Sequence, residues 1–104
     1  MIDIATVSGI GAWTRQQHGE DGEDWLYEIP ETGKVFLVLR PKTLEVRCDA
    51  KLGKMLREKY ETVMESRYFG RGGIEIVPSA QLTEEELADL VRLSYNLSLE
   101  GEHE

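Results

Sequence analysis

Trp25-Leu26-Tyr27-Glu28-Ile29-Pro30-Glu31-Thr32-Gly33-Lys34-Val35-Phe36-Leu37-Val38-Leu39-Arg40-Pro41-Lys42-Thr43-Leu44-Glu45-Val46-Arg47-Cys48 reads as three strands joined by two short turns. Trp25, Tyr27 and Ile29 alternate with Leu26 and Glu28 until Pro30 ends the run. Glu31-Thr32-Gly33-Lys34 supplies a turn. Val35 to Leu39 is apolar on both faces, the pattern of a central strand covered on each side. Pro41-Lys42-Thr43 makes a second turn, after which Leu44, Val46 and Cys48 alternate with Glu45 and Arg47, predicting one buried and one solvated face. Short turns between adjacent strands make an antiparallel meander.

Helices are expected on both sides of this meander, with one further short strand after it. Asp49 stands where a helix N-cap belongs, and Leu52, Met55, Leu56 and Tyr60 recur at helical spacing, so a helix is predicted from Ala50 to about Tyr60. Periodicity is poor from Glu61 to Gly73, and Arg67 to Gly73 reads as a loop or an irregular strand end. Ile74-Glu75-Ile76-Val77 is a short strand closed by Pro78. Thr83 and Glu86 form a capping-box pair, with Glu84 and Glu85 adding negative charge at the positive end of the helix dipole. Leu87, Leu90, Val91 and Leu97 then predict a helix from about Glu84 to Leu99. On the N-terminal side, Ile4, Val7, Ile10 and Trp13 suggest a helix within Asp3 to His18, weakened by Gly9 and Gly11. Gly19 to Asp24 is a polar loop, and Gly101 to Glu104 is expected to fray.

The chain has 104 residues, enough for a single domain over 1–104 with one hydrophobic core. Its 40% apolar and 31% charged content is that of a globular protein, not a disordered one. No apolar run approaches the roughly 20 residues of a membrane span, and the start lacks a signal-peptide pattern. A cytoplasmic location is expected, and a single cysteine agrees with a reducing compartment.

The net charge of −8 is unevenly placed. Ten of the twelve Lys and Arg lie between Lys34 and Gly72 against five Asp and Glu, so that segment is net +5 while the remainder is net −13. Segregation of this size bears on partners rather than on fold.

Gly33-Lys34-Val35-Phe36, then Leu44-Glu45-Val46-Arg47-Cys48-Asp49, then Leu56-Arg57-Glu58-Lys59-Tyr60 resemble the YjbR/MmcQ family in order and spacing. Leu82-Thr83-Glu84-Glu85-Glu86-Leu87 and Leu93-Ser94-Tyr95-Asn96-Leu97 are similar to that family's closing helix and its Ser-Tyr signature. The resemblance covers about three fifths of the chain, from Lys34 to Leu97. It implies a CyaY-like, frataxin-like α+β fold: an antiparallel sheet of about four to five strands, N- and C-terminal helices on one face, and a short middle helix. The family is largely uncharacterised, and a DNA-binding role has been suggested for it mainly from its fold. Ser66 to Gly73 departs from the family's Tyr-His-Met-Asn-Lys-Lys-His-Trp-like segment, and the residues that carry that motif are absent.

The candidate binding residues come from the basic segment. Arg40, Lys42, Arg47, Lys51, Lys54, Arg57, Arg67 and Arg71 are candidates for a nucleic-acid or anion-binding surface, with Tyr68 and Phe69 as candidate aromatic contacts. The competing reading pairs these cations with Glu45, Glu58, Glu61 and the acidic loop. Arg71-Gly72-Gly73 is better read as a glycine-shaped turn than as a nucleic-acid motif, because it immediately precedes a strand. No catalytic constellation, cofactor site or metal site is recognisable. Glu20-Asp21-Gly22-Glu23-Asp24 lacks the ligand order of a calcium loop, His18 and His103 are far apart, and Cys48 lies on an apolar strand face. Three functions remain open: a small binding or interaction module, a DNA-binding protein, and a small-molecule-binding protein or enzyme with a pocket between sheet and helices. A monomer or weak dimer is expected.

Overall fold

The computed structural model describes residues 10–78 and 81–100. Along these residues run β1 (Thr14–His18), β2 (Asp24–Glu28), β3 (Val35–Leu39), β4 (Leu44–Arg47), α1 (Ala50–Lys59), β5 (Val63–Ser66), β6 (Gly70–Ile76) and α2 (Glu84–Glu100). The fold is α+β. All six strands pair antiparallel in one sheet of order β1-β2-β3-β4-β6-β5.

The meander stands as read, with β2, β3 and β4 adjacent and in register. Tyr27 pairs with Leu37, which pairs in turn with Val46. A bulge between Tyr27 and Glu28 leaves Phe36 unmatched in the β2–β3 register. Both Phe36 and Leu37 are therefore free to enter the same core, where each is fully buried.

That core lies between the sheet and helices α1 and α2. Tyr27, Phe36, Leu37, Leu44, Val46, Ile74 and Ile76 from the sheet meet Leu82, Leu87, Val91 and Tyr95, with Leu52 and Leu56 of α1 packed against them. α2 lies over β3 and β4, and α1 over β5 and β6. Both helices start as their caps require. The Asp49 carboxylate accepts from the Leu52 N–H at 2.8 Å. The Thr83 hydroxyl accepts from the Glu86 N–H at 3.1 Å, while the Thr83 N–H donates to the Glu86 carboxylate at 2.8 Å.

The Ser-Tyr pair in α2 fixes that helix to the sheet. Buried Ser94 donates its hydroxyl to the Phe36 carbonyl at 2.6 Å and accepts from the Arg47 N–H at 2.8 Å, bridging β3 and β4. The Tyr95 hydroxyl donates to the Ala12 carbonyl at 2.8 Å, and its ring meets Phe36 edge-on at 5.0 Å.

Two expectations are corrected. Among the described residues the sheet has six strands rather than four to five: β5 forms within the stretch read as aperiodic, and β6 begins at Gly70 rather than Ile74. The helix expected within Asp3 to His18 does not reach its C-terminal end, because Thr14–His18 is an edge strand paired with β2. The remaining N-terminal residues of that expected helix, 3–9, lie outside the described residues, as does the tail 101–104.

Candidate functional site

The sheet face turned away from the helices carries charge in its interior. Glu45 alternates with Leu44 and Val46, and Glu75 with Ile74 and Ile76, so both carboxylates point away from the main core. The sequence reading placed Glu45 on a solvated face. It is instead fully buried, and Glu75 directly opposite is nearly so. Like charges facing one another across strands repel unless other groups neutralise them.

Two arginines supply the neutralisation. Arg40 donates through Nε to Glu45 and through Nη1 to Asp24 at 2.8 Å. Arg67 donates through Nη2 and Nε to Glu75 at 2.6 and 3.0 Å, and the Thr43 hydroxyl adds a bond to Glu75 at 2.8 Å. Glu45 also accepts from the Ser66 hydroxyl at 2.6 Å and the Tyr68 N–H at 2.8 Å. The Arg67 hydrogen bond holds the Glu75 carboxyl below the usual carboxylate range. Burial opposes that shift, and the Thr43 hydroxyl reinforces it.

The β5–β6 loop is thereby tied across this face. Phe69 packs against Leu26, Val35 and Val38, a second apolar cluster. The Arg47 guanidinium lies 4.9 Å from the Phe69 ring centroid and donates to the Val35 carbonyl at 2.8 Å. Gly73 is dictated by close packing here: a Cβ at that position would fall 2.5 Å from the Val46 carbonyl oxygen and 2.7 Å from the Phe69 Cβ. The Arg-Gly-Gly triplet thus lies within β6 rather than in a turn, and Gly73 has a structural cause there.

Beside this network opens a concavity of about 380 Å³ lined by Glu23, Asp24, Arg40, Pro41, Lys42, Thr43 and Arg67. Its three cations are outweighed by Glu23, Asp24 and the buried partners Glu45 and Glu75. It is a poor place for an anion.

A second concavity, of about 270 Å³, differs in charge. Ala50, Lys54 and Arg57 of α1, Glu65 of β5 and Arg71 of β6 line it. Three cations face a single carboxylate. Among the described residues no ion pair or side-chain hydrogen bond engages Lys54, Arg57 or Arg71. Gly53, buried inside α1, leaves room for the Arg57 head: a Cβ there would approach Arg57 Nη1 to 3.3 Å and Cys48 Sγ to 3.2 Å.

The eight basic candidates therefore do not form one surface. Arg40 and Arg67 are absorbed by buried carboxylates and Arg47 by Phe69 and a backbone carbonyl. Lys42 lines the first concavity, and exposed Lys51 lines neither. Lys54, Arg57 and Arg71 converge. Of the two aromatic candidates, Phe69 is engaged in packing, while Tyr68 is exposed with its ring 5.0 Å from Phe69. Sequence reasoning missed Glu45, Glu75, Asp24, Thr43 and Ser66 as a connected set. Glu45 between Leu44 and Val46, and Glu75 between Ile74 and Ile76, were the available signal. Among the described residues no group of three His, Cys, Asp or Glu is arranged to hold a metal ion, and no helix is long and apolar enough to cross a membrane.

Comparison with solved structures finds a similar fold in Deinococcus radiodurans protein DR2400, whose domain is described as DUF419. The superposition has a TM-score of 0.81, with 15% identity over 98% of this chain and 80% of that one. DUF419 is a YjbR-like family. At that identity the likeness establishes the fold. No protein-family model matches the chain, and no curated protein matches it.

Proposed function

We propose that this chain is a small binding module of the YjbR/MmcQ type, a single domain over residues 1–104, and that it engages an anionic partner through Lys54, Arg57 and Arg71. The observation that carries the reading is the convergence of these three side chains on one concavity with no ion pair of their own among the described residues. Three cations that outnumber the single carboxylate beside them, Glu65, raise the local potential and attract an anion despite the net charge of −8. The other basic side chains of the middle segment are largely occupied within the fold, which narrows the binding surface. Of the space between sheet and helices, where a small-molecule pocket was expected, the part under α2 is filled by Phe36, Leu37, Val91 and Tyr95, whereas a concavity of about 270 Å³ lined by Leu56, Tyr60, Leu82, Leu90 and Leu93 opens between α1 and α2.

Duplex DNA is the second reading, favoured by the exposed Tyr68 ring in the same β5–β6 loop that leads into Arg71. Three phosphate contacts would give a slope of log affinity against log salt of about −3. Fluorescence anisotropy with labelled duplex, labelled single strand and heparin at about 50 mM salt tests both readings. Salt-sensitive binding that is lost in Lys54→Glu, Arg57→Glu and Arg71→Glu is expected. Absence of binding to every one of these anions rejects the module's anionic partner, and binding to heparin but not to duplex rejects DNA alone.

A further inference from the structure

We infer that the Lys54–Arg57–Arg71 concavity is a receptor for one compact phosphate-type dianion, such as the phosphate group of a small phosphomonoester, rather than a stretch of polyanion backbone. The inference rests on the anion-binding reading above and assigns the class of ligand to that site.

Size is the first support. At about 270 Å³ the concavity is below the roughly 300–1,000 Å³ typical of pockets that enclose a drug-sized ligand. It accommodates a head group. Charge is the second. Three cations against Glu65 leave a surplus of two positive charges, and a phosphomonoester carries about −1.5 to −2 at neutral pH. A longer polyanion gains less by entering, because Arg67 is tied to Glu75, Arg47 lies over Phe69 and Arg40 is tied to Asp24, which leaves exposed Lys51 as the neighbouring cation on α1.

Preorganisation is the third. Lys54 and Arg57 are three residues apart on α1 and so share a helix face, and Arg71 approaches from β6. Arg57 is half-buried, its guanidinium seated against Gly53. A glycine inside a helix costs about 1 kcal/mol relative to alanine. At this position it leaves space that a methyl group would crowd. A guanidinium held in this way offers two parallel N–H donors to a pair of phosphate oxygens, a geometry that lysine cannot reproduce. At the start of α1 Asp49 already takes the Leu52 N–H. Selectivity falls to the three side chains.

Isothermal titration of the full chain with sodium phosphate and with glycerol 3-phosphate tests the assignment, using sodium chloride at matched ionic strength as the screening control. Both phosphates should bind with a dissociation constant of about 1 mM or tighter. Arg57→Gln and Arg71→Gln should each weaken binding by about tenfold, and Lys59→Gln should leave it unchanged. Lys54 and Arg71 are exposed, so Lys54→Gln and Arg71→Gln keep the test readable if Arg57→Gln unfolds. Heparin or DNA binding that about 10 mM phosphate fails to displace beyond the chloride control overturns the inference and leaves the anionic-partner reading standing. No binding of phosphate, heparin or DNA removes both.

Discussion

At residue 48 a thiol is held in the core beside α1. Burial pushes the Cys48 thiol up to about 11; the Asp49 carboxylate adds to the shift and the Arg57 guanidinium opposes it. The thiolate is the reactive form, so Cys48 should resist modification at pH 8. A chromogenic disulfide reagent should label the folded chain at least tenfold more slowly than the urea-unfolded chain; equal rates would mean that the side chain is accessible. Its burial was legible in the alternation Leu44, Val46, Cys48. The burial of Glu45 was not, because the same alternation assigns a glutamate to water. Only the arrival of Arg40, Ser66 and the Tyr68 N–H from other parts of the chain makes an interior carboxylate tolerable, and no local pattern encodes those meetings. The convergence of Lys54 and Arg57 could be inferred from their helical spacing, whereas that of Arg71 could not.

Elements with a strong period or a cap were legible: β2, β3, β4, α1 and α2 lie within a residue or two of their expected spans. β1 and β5 were not. All five residues of β1 are exposed, and β5 buries only Val63 and Ser66, the latter through a hydrogen bond to Glu45. Edge strands with polar outer faces leave no hydrophobic alternation to read. The apparent helical spacing of Ile10 and Trp13 arises from a segment that packs against the core on its way into β1. For α2 the start signal is reciprocal, with Thr83 and Glu86 each satisfying the other's backbone N–H. Thr83→Ala should therefore cost about 1 kcal/mol and lower the thermal midpoint by about 5 °C in calorimetry. An unchanged midpoint would show that packing alone holds the helix start.

Over the whole molecule, the charge asymmetry of the sequence divides into two unlike regions. One is a neutralised network on the sheet face turned away from α1 and α2, and the other is a small cationic concavity beside α1. The network has a pH signature. Glu75 is held below its ordinary value in the folded state, so its contribution to stability is present above about pH 4.3. It is lost as pH falls through the lowered folded value. Urea midpoints measured from pH 7 down to pH 2 should thus fall most steeply below about pH 4, and Glu75→Gln should flatten that fall. A variant whose acid profile matches the parent would mean that Glu75 plays no part. The face-to-face setting of Glu45 and Glu75 bears equally on the order of assembly. Their partners come from the β3–β4 turn and the β5–β6 loop, so β4 and β6 cannot mate comfortably until both connections have closed over them. Mutual repulsion between the two carboxylates thus ties the pairing at the centre of the sheet to the closure of its outlying loops.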